Sequence, residues 1–313
     1  MFAVSAVRID SKDPLSGLEL GEREEPASRA GWTTVTVKAA SLNHHDLWTL
    51  RGVGITEDKL PMILGCDGAG VDEDGNEVVI HSVVDPRDGK PSILTEAYNG
   101  TFAQKVLVPK ANLVPKPAAL SWEQAACLPT AWLTAYRMLF RNSGLKPGDT
   151  VLIQGAGGGV ATAAIVLARA AGFRVWATSR SEEKRARAVE LGAHAAFESG
   201  ARLPERVDAV LETVGAATWS HSVKSLRPEG TIVISGATSG AMPPAELTRI
   251  FFLQLRVIGS TMGSLDELKA LARMCEVTDV RPVIDSVLPL AEARTGFERM
   301  EQGEAFGKIV FTV

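Results

Sequence analysis

Two rhythms of apolar and polar positions divide the chain. Up to residue 118, short β-branched runs alternate with turn residues. WTTVTVKAASL (Trp32–Leu42) and FAQKVLVP (Phe102–Pro109) are partly alternating and bounded by Gly, Pro and Asp, which predicts strands with one buried face. From Ser121 to Arg141 the spacing becomes helical, with Ser121 as N-cap and Glu123 and Gln124 in the first turn. Strand and helix alternate beyond that point. Strands are expected at Thr150–Gln154, Arg174–Thr178, Ala195–Glu198, Ala209–Glu212, Thr231–Ser235 and Val257–Gly259. Helical stretches lie between most of them, an order that argues for a parallel, doubly wound sheet. After Gly263 the pattern predicts a helix (Leu265–Glu276), a strand (Val283–Leu288), a short helix (Leu290–Met300) and a closing strand, GKIVFTV. No fixed-period repeat and no low-complexity linker interrupts this order.

Composition narrows the class without changing this outline. A chain of 313 residues, 45% apolar and 22% charged, can bury a large core without covalent staples. A formal net charge of −4 offers no basic footprint for nucleic acid or for an anionic membrane. The opening MFAVSAVRIDSKDP meets a charge within eight residues, and no run reaches the about eighteen apolar residues of a membrane span. Only Cys66, Cys127 and Cys275 are present, far apart and odd in number, so no disulfide framework is expected. A cytoplasmic protein is the expectation.

The first chemical signal is a glycine run. Gly155, Gly157, Gly158 and Gly159 follow an apolar strand directly and precede ATAAIVLARAAG, a strong helix former. Glycine supplies positive φ and lets backbone approach a pyrophosphate, while the helix starting near Val160 aims unsatisfied N–H groups at the anion. Ala161 stands where only a small side chain permits close helix–strand packing. A glycine-rich turn with no ligand is the competing explanation, and the order strand, glycines, helix disfavours it.

The tip of the next strand selects the cofactor. A free ribose 2′-hydroxyl is usually held by Asp or Glu about twenty residues past the glycines. Here the text is TSRSEEK, with no carboxylate at the tip. Ser179 can donate to a 2′-phosphate, Arg180 can pair with it or stack on adenine, and Lys184 adds charge. Glu182 and Glu183 suit a helix start, and the two roles coexist because Ser179 and Arg180 precede the capping residues. NADP(H) is therefore the expected cofactor.

At this point the sequence resembles the medium-chain dehydrogenase/reductase superfamily, in particular its zinc-free quinone oxidoreductase branch. The resemblance is carried by AASLNHHDLWTLRG (Ala39–Gly52), PMILGCDGAG (Pro61–Gly70), GTFAQKVLVP (Gly100–Pro109), AACLPTAWLTAYRML (Ala125–Leu139), Gly148–Lys184, LRPEGTIVISGATSG (Leu226–Gly240) and GKIVFTV (Gly307–Val313). It implies an α/β fold in which a Rossmann doubly wound parallel sheet is inserted in a GroES-like, β-rich catalytic domain. The expected domains are 1–118 and 263–313 for the catalytic part and 119–262 for the Rossmann part. The active site is implied in a cleft between them, and a homodimer is implied as well.

Alcohol dehydrogenases of this superfamily hold a catalytic zinc on a Cys, a His and a second Cys. The matching positions here are Asn43, Cys66 and Thr130, and Asn and Thr are poor zinc ligands. The segment after Gly70, VDEDGNEVVIHSVVDPRDGKPSILTEAYNG, has no cysteine for a structural zinc lobe. His44 and His45, adjacent on what reads as a strand, should face opposite ways, one at the surface and one anchoring or facing the cofactor. No metal is expected. Without a Lewis acid, the chemistry that remains is hydride transfer to an already electrophilic acceptor, a quinone or an activated C=C bond. The oxygen that gains charge needs a hydrogen-bond donor, for which Asn43 and Thr130 are the catalytic candidates. No side chain stands out as a general acid, and solvent can supply the proton.

The resemblance also directs Thr134, Val214, Ser235, Gly236 and Ala237 to the ribose and nicotinamide, and Lys308 to the cofactor phosphates. For Thr134 and Val214, ordinary packing is an equal alternative. Asp46 reads as a structural acceptor, and Cys127 and Cys275 as buried thiols. Trp48, Leu133 and Met262 are candidates to line a small-molecule substrate pocket. The leading expectation is an NADPH-dependent, zinc-independent reductase of quinones or α,β-unsaturated carbonyls. The alternatives are an alcohol dehydrogenase-like enzyme acting on an aldehyde or ketone, and a non-catalytic NADPH-binding sensor.

Overall fold

The computed structural model describes residues 1–84 and 91–313. The chain forms two compact units, Met1–Thr130 with Ser264–Val313, and Ala131–Gly263. The division falls later than the boundary at 118 drawn from the change of rhythm, inside the segment read as one helix.

That segment is not one regular helix. Ser121 caps Trp122–Ala126 through a capping box with Gln124, but π-helical turns occupy Leu128–Trp132 and Met138–Asn142 on either side of Leu133–Arg137. Pro129 has no N–H to give to the turn before it, which explains the first widening. A second correction concerns His44 and His45. They open a helix, His44–Leu50, rather than lying on a strand. Asn43 is still extended, with φ −129° and ψ 157°, and the turn begins one residue later.

In the first unit, seven strands form one sheet among the described residues. Trp32–Ser41 is its spine, paired with Asp67–Val71, Lys105–Pro109 and the closing strand Lys308–Thr312. Trp32–Ser41 alternates buried and open positions as far as Lys38, then is buried on both faces from Ala39. There it carries strands on both flanks, antiparallel to Phe311 at Ala40 and to Gly68 at the same residue. The closing strand also runs parallel to Ile284–Pro289 and so completes the sheet built on Trp32–Ser41, while Phe2–Ala6 pairs with Leu18–Glu22 and Met62–Ile63 in a separate three-stranded sheet. Phe102, Phe297 and Phe311 are fully buried, with edge-on ring contacts at 6.2 and 5.1 Å centred on Phe102.

The second unit is a six-stranded parallel sheet in the spatial order Ala195–Glu198, Arg174–Ser179, Thr150–Ile153, Val207–Glu212, Leu226–Ile234, Arg256–Gly259. The order reverses direction at Thr150–Ile153, the switch point where such sheets bind ligands at their carboxyl ends. Thr150–Ile153 is buried throughout, as expected for a central strand with helices on both faces. The GroES-like and Rossmann expectation for the fold holds. No helix among the described residues is long and apolar enough to cross a membrane.

Gly296 tests the packing of the first unit. It lies in the helix Ala293–Gln302, where alanine would gain about 1 kcal/mol of helix propensity. A Cβ there would sit 2.7 Å from Phe311 Cε1 and 3.2 Å from Ile309 Cγ2, and overpacking of this kind costs about 1–3 kcal/mol. The crowding wins: Gly296→Ala is expected to lower the midpoint of urea unfolding, and an unchanged or raised midpoint would refute that packing.

Candidate functional site

The glycine turn of the second unit has the shape a pyrophosphate requires. Gly155 and Gly157 have φ of +76° and +126°, values that disfavour any side chain. A Cβ on Gly155 would fall 2.7 Å from Val214 Cγ2, and one on Gly157 would fall 2.9 Å from Lys184 Cδ. Above Gly158 there is open space, with no atom within 4 Å of a Cβ built there. Gly158 is the N-cap of the helix Gly159–Ala170 and brings no side-chain cap to it. The first N–H groups of that helix, including that of Val160, are thus left to an anion. Ala161 is buried, as its packing role demands. The residues fit a dinucleotide.

The neighbouring strand tips gather around this turn. Arg174–Ser179 ends in Ser179, whose Oγ accepts the Ser181 N–H at 3.2 Å. Ser181 in turn caps the helix Glu182–Glu190 through Lys184 N. Arg180 is exposed, and the Lys184 ammonium lies 3.5 Å from the Cβ position of Gly157. Sequence reasoning missed Arg185: its Nη1 donates to Ser179 O at 2.8 Å and Arg180 O at 3.2 Å, fixing the backbone of the tip. No motif selects a cation at that spacing.

Glu212 was missed too. It ends the strand Val207–Glu212 fully buried, and its Oε1 accepts from Val214 N at 2.8 Å and Gly215 N at 3.0 Å. Thr218 and Ser222 donate to the same carboxylate. A carboxylate in an apolar strand two residues before a Val-Gly turn was the available signal. Ser235 donates its N–H to Glu212 O, a Cβ on Gly236 would lie 2.9 Å from Thr213 O, and Ala237 lies against Gly215. Gly155, Gly157, Lys184, Val214 and Ser235–Ala237 therefore border one another. Thr134 is buried within the helix Leu133–Arg137.

The first unit carries a different constellation. Asn43 Nδ2 donates to Ser41 O at 3.2 Å and Asp67 Oδ2 at 2.8 Å, so both amide hydrogens are spent. Its Oδ1 receives Lys308 Nζ at 2.6 Å, and the same ammonium reaches Leu42 O at 2.7 Å and Asp67 Oδ2 at 3.4 Å. Lys308, directed to the cofactor phosphates by the resemblance, thus has an acceptor for each of its three N–H bonds inside this buried cluster. Thr130 Oγ1 is buried and has no partner among the described residues.

Zinc does not fit the three matching positions. The Asn43 amide oxygen already faces an ammonium, and a metal needs the Cys66 thiolate while burial, with Asp46 and Asp67 nearby, pushes that thiol well above its ordinary value. The described residues contain no group of three His, Cys, Asp or Glu placed to hold a metal. Residues 85–90, part of the segment read as lacking a zinc lobe, lie outside the described residues. Burial also pushes the Cys127 and Cys275 thiols up to about 12. Asp46 accepts from Asn43 N and Gly65 N, both at 2.9 Å. Its full burial, with Asp67 close by, raises it to about 7 despite those bonds and Lys308.

Two family models match the chain, that of the alcohol dehydrogenase GroES-like domain over residues 29–118 and that of the zinc-binding dehydrogenase over residues 159–276. The chain is 31% identical to a zinc-type alcohol dehydrogenase-like protein of Schizosaccharomyces pombe, over 98% of this chain and 99% of the relative. It is 28% identical to the acryloyl-coenzyme A reductase of Metallosphaera sedula, over 95% of this chain and 96% of that protein. The crystal structure of an NAD-dependent alcohol dehydrogenase superposes with a TM-score of 0.92 at 35% identity, covering 100% of both chains.

Asp46 sets a pH dependence. Its folded value lies above the 3.8 of the free side chain, so between about pH 4 and 7 the folded protein holds a proton that the unfolded chain has lost. That contribution to stability is present at low pH and is lost as pH rises to about 7. The melting temperature of Asp46→Asn relative to the wild type is expected to rise from pH 5 to 7 and then level off. A difference that is flat from pH 5 to 7 would show that Asp46 is ionised throughout.

Proposed function

Because the chain belongs to the medium-chain dehydrogenase/reductase superfamily, whose members depend on NAD(P), we propose that it is an NADPH-dependent, zinc-independent oxidoreductase acting on an α,β-unsaturated carbonyl compound or a quinone. One contact carries the reading, the 2.6 Å approach of Lys308 Nζ to Asn43 Oδ1. Where zinc-dependent members offer a thiolate, this chain offers an amide oxygen already facing a cation. A second cation beside it would be repelled.

The glycine turn, Val160, Ser179, Arg180 and Lys184 would hold the dinucleotide, with Arg185 bracing the tip behind them. When bound, the reduced nicotinamide supplies a hydride. The protein's part is to orient the acceptor and to give a hydrogen bond to the oxygen on which charge gathers. Thr130 is the better of the two candidates, since its hydroxyl is unengaged among the described residues while the Asn43 amide has no hydrogen to spare. Asn43 instead bridges Lys308 and Asp67. Acryloyl-coenzyme A, in the name of one relative, is an α,β-unsaturated thioester, which supports the carbonyl arm over the quinone arm. Preference for NADPH is supported by the cations at the strand tip and the lack of a carboxylate there, although the solved neighbour is named as NAD-dependent.

A screen of enoyl thioesters, enones, quinones and aldehydes with NADPH and NADH is the decisive measurement. Oxidation of NADPH by an activated C=C acceptor or a quinone in protein free of bound zinc is expected, and Arg180→Asp should raise KM for NADPH at least about tenfold while sparing NADH. Stoichiometric zinc with aldehyde turnover would make it an alcohol dehydrogenase. Tight NADPH binding without turnover would make it a sensor. Thr130→Val is expected to lower kcat about a hundredfold with NADPH affinity unchanged, and a kcat like that of the wild type would remove Thr130 from the chemistry.

A further inference from the structure

Beneath the glycine turn runs a chain of polar side chains that no dinucleotide motif includes. Gln154, 1% exposed, immediately precedes Gly155. Its Oε1 accepts from Thr178 Oγ1 at 2.6 Å, and its Nε2 lies 2.9 Å from both His221 Nδ1 and Ser222 Oγ. His221 Nε2 is 2.9 Å from Ala201 O. One end of the chain reaches the glycine turn: Thr178 Oγ1 receives Gly155 N–H at 3.4 Å, and Thr178 O receives Ala156 N–H at 2.7 Å. The other end passes from Ser222 Oγ to Glu212 Oε2 at 2.6 Å, and so to the amides of Val214 and Gly215.

The direction of every hydrogen bond in this chain follows from one atom. Ala201 O can only accept, so in the neutral ring His221 Nε2 carries the proton and Nδ1 is an acceptor. Gln154 must then turn its NH2 to the ring and its oxygen to Thr178. The Thr178 hydroxyl must donate to that oxygen, which leaves a lone pair for Gly155 N–H. Ser222, receiving from Gln154, must donate to Glu212. Reversing the amide would set its oxygen against the Nδ1 lone pair and leave the Thr178 hydroxyl hydrogen with no acceptor, inside a site where unpaired polar groups are costly.

We propose that His221 is a positioning residue for the bound dinucleotide: by fixing which way the Gln154 amide faces, it sets the hydroxyl on which the glycine turn rests and, through Ser222 and Glu212, the amides of Val214 and Gly215. The proposal rests on the reading of the glycine turn as a dinucleotide site. His221 itself touches no cofactor. It acts from behind the turn, and its effect falls on the pyrophosphate rather than on the adenosine end.

His221→Leu removes the acceptor, whereas His221→Asn can return an amide oxygen near the place of Nδ1. Dissociation constants of the full chain for NADPH, NADH and two fragments without a pyrophosphate (2′-AMP and adenosine) are measured beside the melting temperature of the ligand-free protein. His221→Leu is expected to weaken both dinucleotides about tenfold and the fragments less than twofold, while His221→Asn recovers to within about threefold of the wild type. Equal weakening of all ligands, no weakening of the dinucleotides, or no recovery with Asn each overturns the positioning role. Should His221→Leu not fold, Thr178→Val carries the same comparison, with selective loss expected and equal or no loss overturning it. A wild-type chain that binds neither NADPH nor NADH would instead sink the dinucleotide reading itself.

Discussion

An ammonium removed from water must be given an acceptor for each of its hydrogens, and the first unit is arranged around that demand. Lys308 is 2% exposed and is held by Leu42, Asn43 and Asp67, residues 241 to 266 positions away in the sequence. Satisfying it brings the closing strand beside Trp32–Ser41 and places Asp67 where Ser41 and Asn43 also donate to it. Breaking such a buried cluster by removing one partner costs about 3–5 kcal/mol, because the remaining charge is stranded. The same demand decides what Asn43 can do. An amide whose oxygen and both hydrogens are engaged is a strut, with no hydrogen left to give to a ligand.

The second unit meets the opposite requirement. Helix Gly159–Ala170 begins with backbone donors that no side chain caps, and the turn before it leaves open space at Gly158 while a methyl at Gly155 or Gly157 would crowd Val214 or Lys184. Exposed donors are useful only if they point in a fixed direction. Thr178 supplies that direction by receiving both Gly155 and Ala156 N–H, and Glu212 does the same for Val214 and Gly215. The site is therefore a rim of uncapped donors backed by Thr178 and Glu212, which are themselves held by hydrogen bonds.

Much of this was legible in the sequence, for reasons that differ by residue. The parallel strands were readable because central strands are apolar runs between helices, and the glycines because their place between strand and helix leaves few alternatives. Ser121 was readable as a cap because Gln124 stands three residues on. The path of the helix after it was not, because one proline in a helical pattern disrupts hydrogen bonding without disturbing periodicity. His44 was misread as strand because the extended Asn43 runs on from Trp32–Ser41. Arg185, Glu212 and His221 lie outside every motif, and Gln154 stands in one without a role it could suggest, since their contacts are made across strands and helices that only the fold brings together. Lys308 was noticed, but its partners could not be seen, as they come from the far end of the chain.

The return of the closing strand has a consequence for how the chain is made. The six-stranded unit is contiguous, Ala131–Gly263, and domains of that kind can fold as they leave the ribosome. The unit around it cannot finish until Lys308–Thr312 has been synthesised, because that strand supplies Phe311 to its core and Lys308 to its buried cluster. The edge of Trp32–Ser41 at Ala39–Ser41 thus waits for a partner made more than 260 residues later, and stays open until then.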